Sequence, residues 1–177
     1  MEFGTDVDIE GDTLVVGTGS RNGAPVDYYG FAYIYDLSDG SKVSTISNPD
    51  PGLGSFGRDG FGDNVIIDNG DVYVSFEDYD DGIAAGNGAV YKYDSSGNFI
   101  EKITNQTGNN FKANEIDPNG NILSIAGNAI FGGLGQAGRI STYDSNGNLL
   151  TEITDNGGRA KALKIKKYQG NVQGFEY

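Results

Sequence analysis

The chain says nearly the same thing three times and then begins a fourth. Tyr35-Asp36 with Gly40, Tyr93-Asp94 with Gly97-Asn98, and Tyr143-Asp144 with Gly147-Asn148 each precede a short strand-like run, ending at Ser47, Thr104 and Thr154. A second marker, Gly followed by Asp or Asn, recurs at Gly11-Asp12, Gly70-Asp71, Gly120-Asn121 and Gly170-Asn171, and the last two intervals are each 50 residues. A period of that length is the mark of a propeller, a solenoid or an array, in which each unit is one small supersecondary structure that cannot bury its apolar face alone.

The unit parses as four strands. Strand one runs through Val7-Asp8-Ile9, Val65-Ile66-Ile67 and, more weakly, Glu115-Ile116; Leu163-Lys164-Ile165 alternates in the same way in the fourth copy. The Gly-Asp or Gly-Asn pair turns the chain, because Gly and Asn accept the positive φ of a two-residue hairpin. Strand two follows as Thr13–Gly17, Val72–Ser75 and Ile122–Ile125. Its β-branched content suits burial between neighbouring sheets. A long Gly-rich connection is expected over residues 18–29, 76–87 and 126–137, before a third strand of period-two alternation at residues 30–35, 88–93 and 138–143. The Asp-initiated turn and the last strand complete the unit. Four short strands in about 50 residues match one propeller blade, whereas a helical repeat needs a 3.6-residue period. The expected fold class is therefore all-β, with propeller-type blades of four antiparallel strands. The divisions are a first blade over 1–48, a linker over 49–60, a second blade over 61–105, a third over 106–155, and a basic tail over 156–177 that starts a fourth.

Composition narrows the function classes. With 29 Gly and only 4 Pro in 177 residues, the chain suits many short strands and tight turns. It has no Cys and no His. Disulfides and thiolate metal sites are thereby excluded, as are His-dependent nucleophile arrangements; carboxylate chemistry is what survives. The net charge is −13, unevenly placed: residues 1–158 hold 7 basic against 24 acidic groups, and the remainder holds 5 basic against one acidic. An acidic body repels nucleic acid and anionic membrane, so neither is expected as a partner. The basic tail, with Lys164, Lys166 and Lys167, is better suited to docking on an acidic surface such as that of another copy. No apolar stretch approaches the ~20 residues of a spanning helix, so no membrane insertion is expected. No signal peptide is visible, and the chain starts directly on repeat material, as a fragment of a longer protein would.

Phe3-Gly4, Val7-Asp8-Ile9-Glu10-Gly11-Asp12 and the following Thr13–Gly17, with Gly30–Leu37 after the loop, resemble the FG-GAP repeat of integrin α-chain propellers and their bacterial and phage relatives. Phe61-Gly62 opens the second copy alike; the third opens Phe111-Lys112, without the family glycine. The resemblance covers essentially the whole chain. It implies a β-propeller and leaves activity open, because that family is defined by its fold.

Members of the family often bind Ca²⁺ through loops of alternating Asp or Asn. The nearest cluster here is Glu77–Gly82, in which Asp78, Asp80 and Asp81 are the candidate ligands against a solvated acidic loop as the simpler reading. Asp36, Asp94, Asp144 and Asp117 are read as turn residues, whose carboxylates bond their own backbone. With 25 acidic residues, carboxylate pairs at glycosidase spacing arise by chance, and none stands out. Tyr28, Tyr29 and Tyr79 fall in the long connections and are the candidates for stacking on a sugar or anchoring a partner, whereas Tyr33, Tyr35, Tyr91 and Tyr93 fall on strands and read as packing.

Three blades and a start cannot close a ring of the usual 4 to 8. Uncovered end faces would be apolar patches with open strand edges. Self-association, or attachment to a larger protein assembly, is therefore expected. The functional expectation is a non-enzymatic structural or adhesion module on an extracellular, cell-surface or virion location. The alternatives are a carbohydrate-binding propeller taking a surface glycan and a calcium-dependent protein-binding module.

Overall fold

The computed structural model describes residues 2–19, 30–51, 60–77, 79–80, 88–104, 111–117, 119–131 and 134–155. They form twelve strands and no helix. β1 (Glu2–Glu10), β2 (Thr13–Gly19), β3 (Phe31–Asp36) and β4 (Ser41–Ser47) make sheet 1; β5 (Phe61–Asp68), β6 (Asp71–Phe76), β7 (Ala89–Asp94) and β8 (Phe99–Thr104) make sheet 2; β9 (Glu115–Ile116), β10 (Ile122–Phe131), β11 (Leu134–Tyr143) and β12 (Leu149–Asp155) make sheet 3. Each sheet is a four-stranded antiparallel meander in sequence order. The all-β expectation of four-stranded blades is met, and the sheets close no barrel.

The turns follow from their sequences. At the β7–β8 turn, Asp94 accepts hydrogen bonds from the backbone N–H groups of Ser96 and Asn98, both at 2.9 Å, and from the Asn98 side-chain amide at 2.8 Å. Asp144 does the same with Asn146 and Asn148, and Asp117 with Asn119 and Asn121. Side-chain capping of this kind fixes the hairpin register without help from the core.

The third sheet departs from expectation. Residues 126–137 read as an irregular connection, but β10 and β11 run on through them, with Phe131 paired to Leu134. In the sequence only Gly132-Gly133 separates the two strands, and a Gly-Gly pair flanked by apolar residues is a hairpin signal. In exchange β9 is only two residues long.

The core lies between sheets. Val15, Ala32, Ile34 and Ile46 of sheet 1 pack against Phe61, Val65, Ile67, Val72, Val74, Tyr91 and Tyr93 of sheet 2. Ile66, Tyr73, Val90 and Ile103, on the other face of sheet 2, pack against Phe111, Ile116, Ile122 and Tyr143. Sheet 2 is thus apolar on both faces, which explains why β5 reads as an unbroken Val65-Ile66-Ile67 run. Edge-to-face rings, Phe61 on Tyr91 at 5.6 Å and Phe111 on Tyr143 at 4.8 Å, fill the two junctions.

The sheets approach so closely that side chains are excluded at the start of β5. Gly62 has φ +84°, and a Cβ there would overlap the Phe31 carbonyl oxygen. Across the same junction, Gly17 and Gly30 face the Gly62 and Phe61 carbonyls. Close backbone approach draws in the carboxylates of β1: Asp6 Oδ2 accepts from Val65 N at 3.0 Å, Asp8 Oδ2 from Ile67 N at 3.0 Å, and Glu10 from Asn69 N and Gly70 N at 3.0 and 2.8 Å. These N–H groups belong to the free edge of sheet 2, so the carboxylates of one sheet satisfy the edge of the next.

β1 therefore runs opposite to the simplest amphipathic reading. Its acidic side chains face sheet 2, while Phe3, Val7 and Ile9 are 65%, 55% and 58% exposed. Gly4, placed like Gly62 and with φ +81°, has no described atom within 4 Å of a built Cβ. In dilute solution, Gly62→Ala is expected to cost about 3 kcal/mol or more, from conformational strain plus overlap. Gly4→Ala should cost about 1–2 kcal/mol, from the backbone conformation alone. Urea denaturation of both variants checks this, and equal costs would contradict the close approach.

Candidate functional site

The candidate site residue that the structure describes most fully is Tyr79, and it lies inside the protein. The turn after β6 is closed by a hydrogen bond from Tyr79 N to Phe76 O at 3.2 Å, and Gly88 N donates to Tyr79 O at 3.1 Å. The ring is 5% exposed and packs edge-on against Phe76 at 5.6 Å. It is a core ring there and presents no free face for stacking on a sugar. Tyr28, Tyr29, Asp78, Asp81, Lys164, Lys166 and Lys167 lie outside the described residues. Asp80 is half-buried beside Tyr79.

Around Tyr79 the fold gathers a polar cluster. Lys102 Nζ, from β8, lies 4.9 Å from the Tyr79 ring centroid and donates to the Tyr79 hydroxyl at 3.2 Å and to Asp50 Oδ2 at 2.9 Å. The Tyr91 hydroxyl donates to the same Asp50 oxygen at 2.6 Å. Asp50 stands just after sheet 1, so the cluster ties the outgoing chain to sheet 2. The Tyr91 hydrogen bond, and behind it the Lys102 ammonium, holds the Asp50 carboxyl below the usual carboxylate range against the opposing effect of burial. Burial, with the Asp50 bond added, pushes the Tyr91 phenol far above its ordinary value, and burial likewise raises Tyr93. Such phenols stay protonated at any physiological pH. They act as donors and packing, not as proton-transfer groups.

The turn carboxylates are equally occupied. The Asn98 and Asn148 side chains, followed by backbone N–H groups, hold Asp94 and Asp144 below the usual range. Each carboxylate spends both oxygens on N–H donors, which leaves little for a cation. Among the described residues no three Asp or Glu side chains gather as a metal site would require.

A cleft of about 300 Å³ lies between sheets 2 and 3, lined by Asn69, Asp71, Tyr73, Lys92, Asn121 and Asp144, among others. Its lysine is paired: Lys92 Nζ is 2.8 Å from Asp71 Oδ2 and 5.6 Å from the Tyr73 ring centroid. Hydrogen bonding to Asp71 raises the Lys92 ammonium above its ordinary value, over the opposing effect of burial. That pair lies within sheet 2; across the junction, Lys112 Nζ is joined to Glu77 Oε2 at 3.0 Å. The cleft escaped the sequence reading because its walls come from two repeats, and only their shared 50-residue offset hints that the two turns meet.

No protein-family model matches the sequence, and no curated protein matches it either.

The Asp50 cluster gives the protein a defined acid response. Because the folded-state pKa is depressed, the stabilisation is complete above the unfolded value of about 3.9 and disappears as pH falls through the folded value. Asp50→Asn should lower stability near neutral pH by about 1–3 kcal/mol and flatten the decline below about pH 4. Thermal melts across pH check this; parallel curves for the two proteins would contradict it.

Proposed function

We propose that this chain is a non-enzymatic structural or adhesion module of the FG-GAP propeller type, working within a larger assembly on an extracellular, cell-surface or virion surface. The observation that carries the reading is the open face of sheet 1, where Phe3, Val7 and Ile9 are more than half exposed in one row along β1. A row of large apolar side chains on the broad face of a sheet is costly in water and marks an interaction surface. The absence of His and Cys, the saturated turn carboxylates and the Lys92–Asp71 pair in the cleft all support a role without bond-making chemistry. The Phe-Gly openings at Phe3-Gly4 and Phe61-Gly62 support the family reading.

The surface location has a direct test. Antibodies raised against the chain should label intact cells or virions of its source; labelling seen only after lysis would sink this reading.

Glycan binding is the second reading, and the cleft between sheets 2 and 3 favours it. Side-chain amides and carboxylates beside a tyrosine are the groups that hydrogen-bond sugar hydroxyls. On a glycan array, binding by this route should fall at least tenfold in Lys92→Ala, since the Lys92–Asp71 pair sets the cleft wall. Binding unchanged by that substitution would remove the cleft from consideration. A Ca²⁺ held around Asp78, Asp80 and Asp81 rests on the sequence pattern and fits the same role. Thermal stability indifferent to chelator would count against it.

A further inference from the structure

We infer that the open face of sheet 1 is one half of a head-to-tail junction, and that the far face of sheet 3 in a second copy of this chain is the other half. The inference rests on the assembly reading above and specifies its contact.

Strand register makes the sheets comparable position by position. Val7 pairs with Val16 as Val65 pairs with Val74, and Ile9 pairs with Leu14 as Ile67 pairs with Val72. Tyr33 pairs with Val16 as Tyr91 does with Val74. In sheet 2, Phe61, Val65, Ile67 and Tyr91 are buried against sheet 1. Their counterparts in sheet 1 carry the same apolar chemistry on the same face, and Phe3 already rests on Tyr33 at 5.7 Å. The backbone matches too. Gly62 takes its positive φ where sheet 1 presses against it; Gly4 takes the same conformation with no described atom nearby. Sheet 1 thus repeats most of the contact surface that sheet 2 uses at its junction, with Thr18 opposite Phe3 where Phe76 stands opposite Phe61.

The complementary surface stands at the other end. Sheet 1 offers sheet 2 an isoleucine from its fourth strand, Ile46, paired to Ala32; sheet 2 offers sheet 3 Ile103, paired to Val90. Both are nearly fully buried. Ile153 holds this position in sheet 3, paired to Ile140, and is 62% exposed.

Edge hydrogen bonding adds direction. Across the sheet 1–sheet 2 junction, Ile67 N donates to Asp8 Oδ2. The equivalent Ile9 N–H is bonded to its own neighbour, at Asp8 Oδ1, in an exposed contact. In sheet 3 the register position of Asp8, opposite Val15, is Glu115, opposite Leu123. A second copy stacked as sheet 1 stacks on sheet 2 brings this carboxylate to the Ile9 N–H. Two sheet 1 faces meeting across a two-fold axis would offer that edge no carboxylate, because Asp6, Asp8 and Glu10 are turned to sheet 2. A heterologous junction, repeating the two already inside the chain, is the arrangement these groups fit.

Blocking each half separately tests this. Ile9→Lys and Ile153→Lys alter exposed positions, and circular dichroism should show both variants folded; Phe3→Lys serves as a second probe of the first face. In sedimentation velocity the unaltered chain should form species of two or more copies. Each variant alone should be a monomer, and an equimolar mixture of the two should form a complex of twice the monomer mass through the two intact halves. Ile153→Lys that self-associates while Ile9→Lys does not would overturn the head-to-tail junction and leave the assembly reading standing. An unaltered chain that stays monomeric overturns the junction, and the surface reading then stands or falls on the labelling of intact particles.

Discussion

The structure depends on how closely one four-stranded sheet can lie on the next. At Gly17, Gly30 and Gly62 the backbones of sheets 1 and 2 come so near that no Cβ fits. That approach places the carboxylates of β1 within reach of the free N–H edge of β5, and four backbone donors from Val65 to Gly70 find acceptors there. A buried edge without partners would cost several kcal/mol, so the acidic residues act as structural acceptors. Asp6 sits inside this junction, bonded by Val65 N and the Asn64 amide, and burial there raises its pKa in spite of those bonds.

The same constraint is met differently between sheets 2 and 3. Lys112 stands where a glycine opens the other copies, and Ser75 Oγ bridges to Ala113, accepting from its N–H at 2.9 Å. Ile66, at the register position of Asp8, packs against the Phe111 and Ile116 cluster. Glycine serves both junctions, since a Cβ at Gly88 would overlap the Phe111 carbonyl as one at Gly30 would overlap that of Phe61; what differs is the side chains beside them, carboxylates at the first junction and a hydroxyl with aliphatic groups at the second. Repeats that must pack on one another share a shape requirement more than a composition.

Local features were legible in the sequence, and relations between repeats were not. The Asp94 and Asp144 turns could be read because each is closed by residues within four positions. Strand positions were legible from period-two alternation and the turn markers. The continuation of β10 and β11 through 126–137 was missed because glycines on both sides looked like a connection, while the Ile130-Phe131 and Leu134 flanks of Gly132-Gly133 carried the hairpin signal. The direction of β1 was missed for a deeper reason: alternating Val7, Ile9 and Asp8, Glu10 says that two faces differ, but not which one meets a neighbour. Tyr79 was placed on a loop, and three residues after Phe76 the chain turns it back into the core. The partnership of Asp50 with Tyr91 spans 41 residues, and no local pattern announces it.

The central claim is that sheets of this chain are built to be covered on the face that β1 leaves open. Amide hydrogen exchange at two equivalent positions measures it most directly. Ile67 N–H, held by Asp8, should be strongly protected at every protein concentration, whereas Ile9 N–H should exchange quickly in dilute solution and slow as the protein is concentrated. Equal protection of Ile9 and Ile67 in dilute solution, or an Ile9 amide that stays fast at all concentrations, would contradict the account.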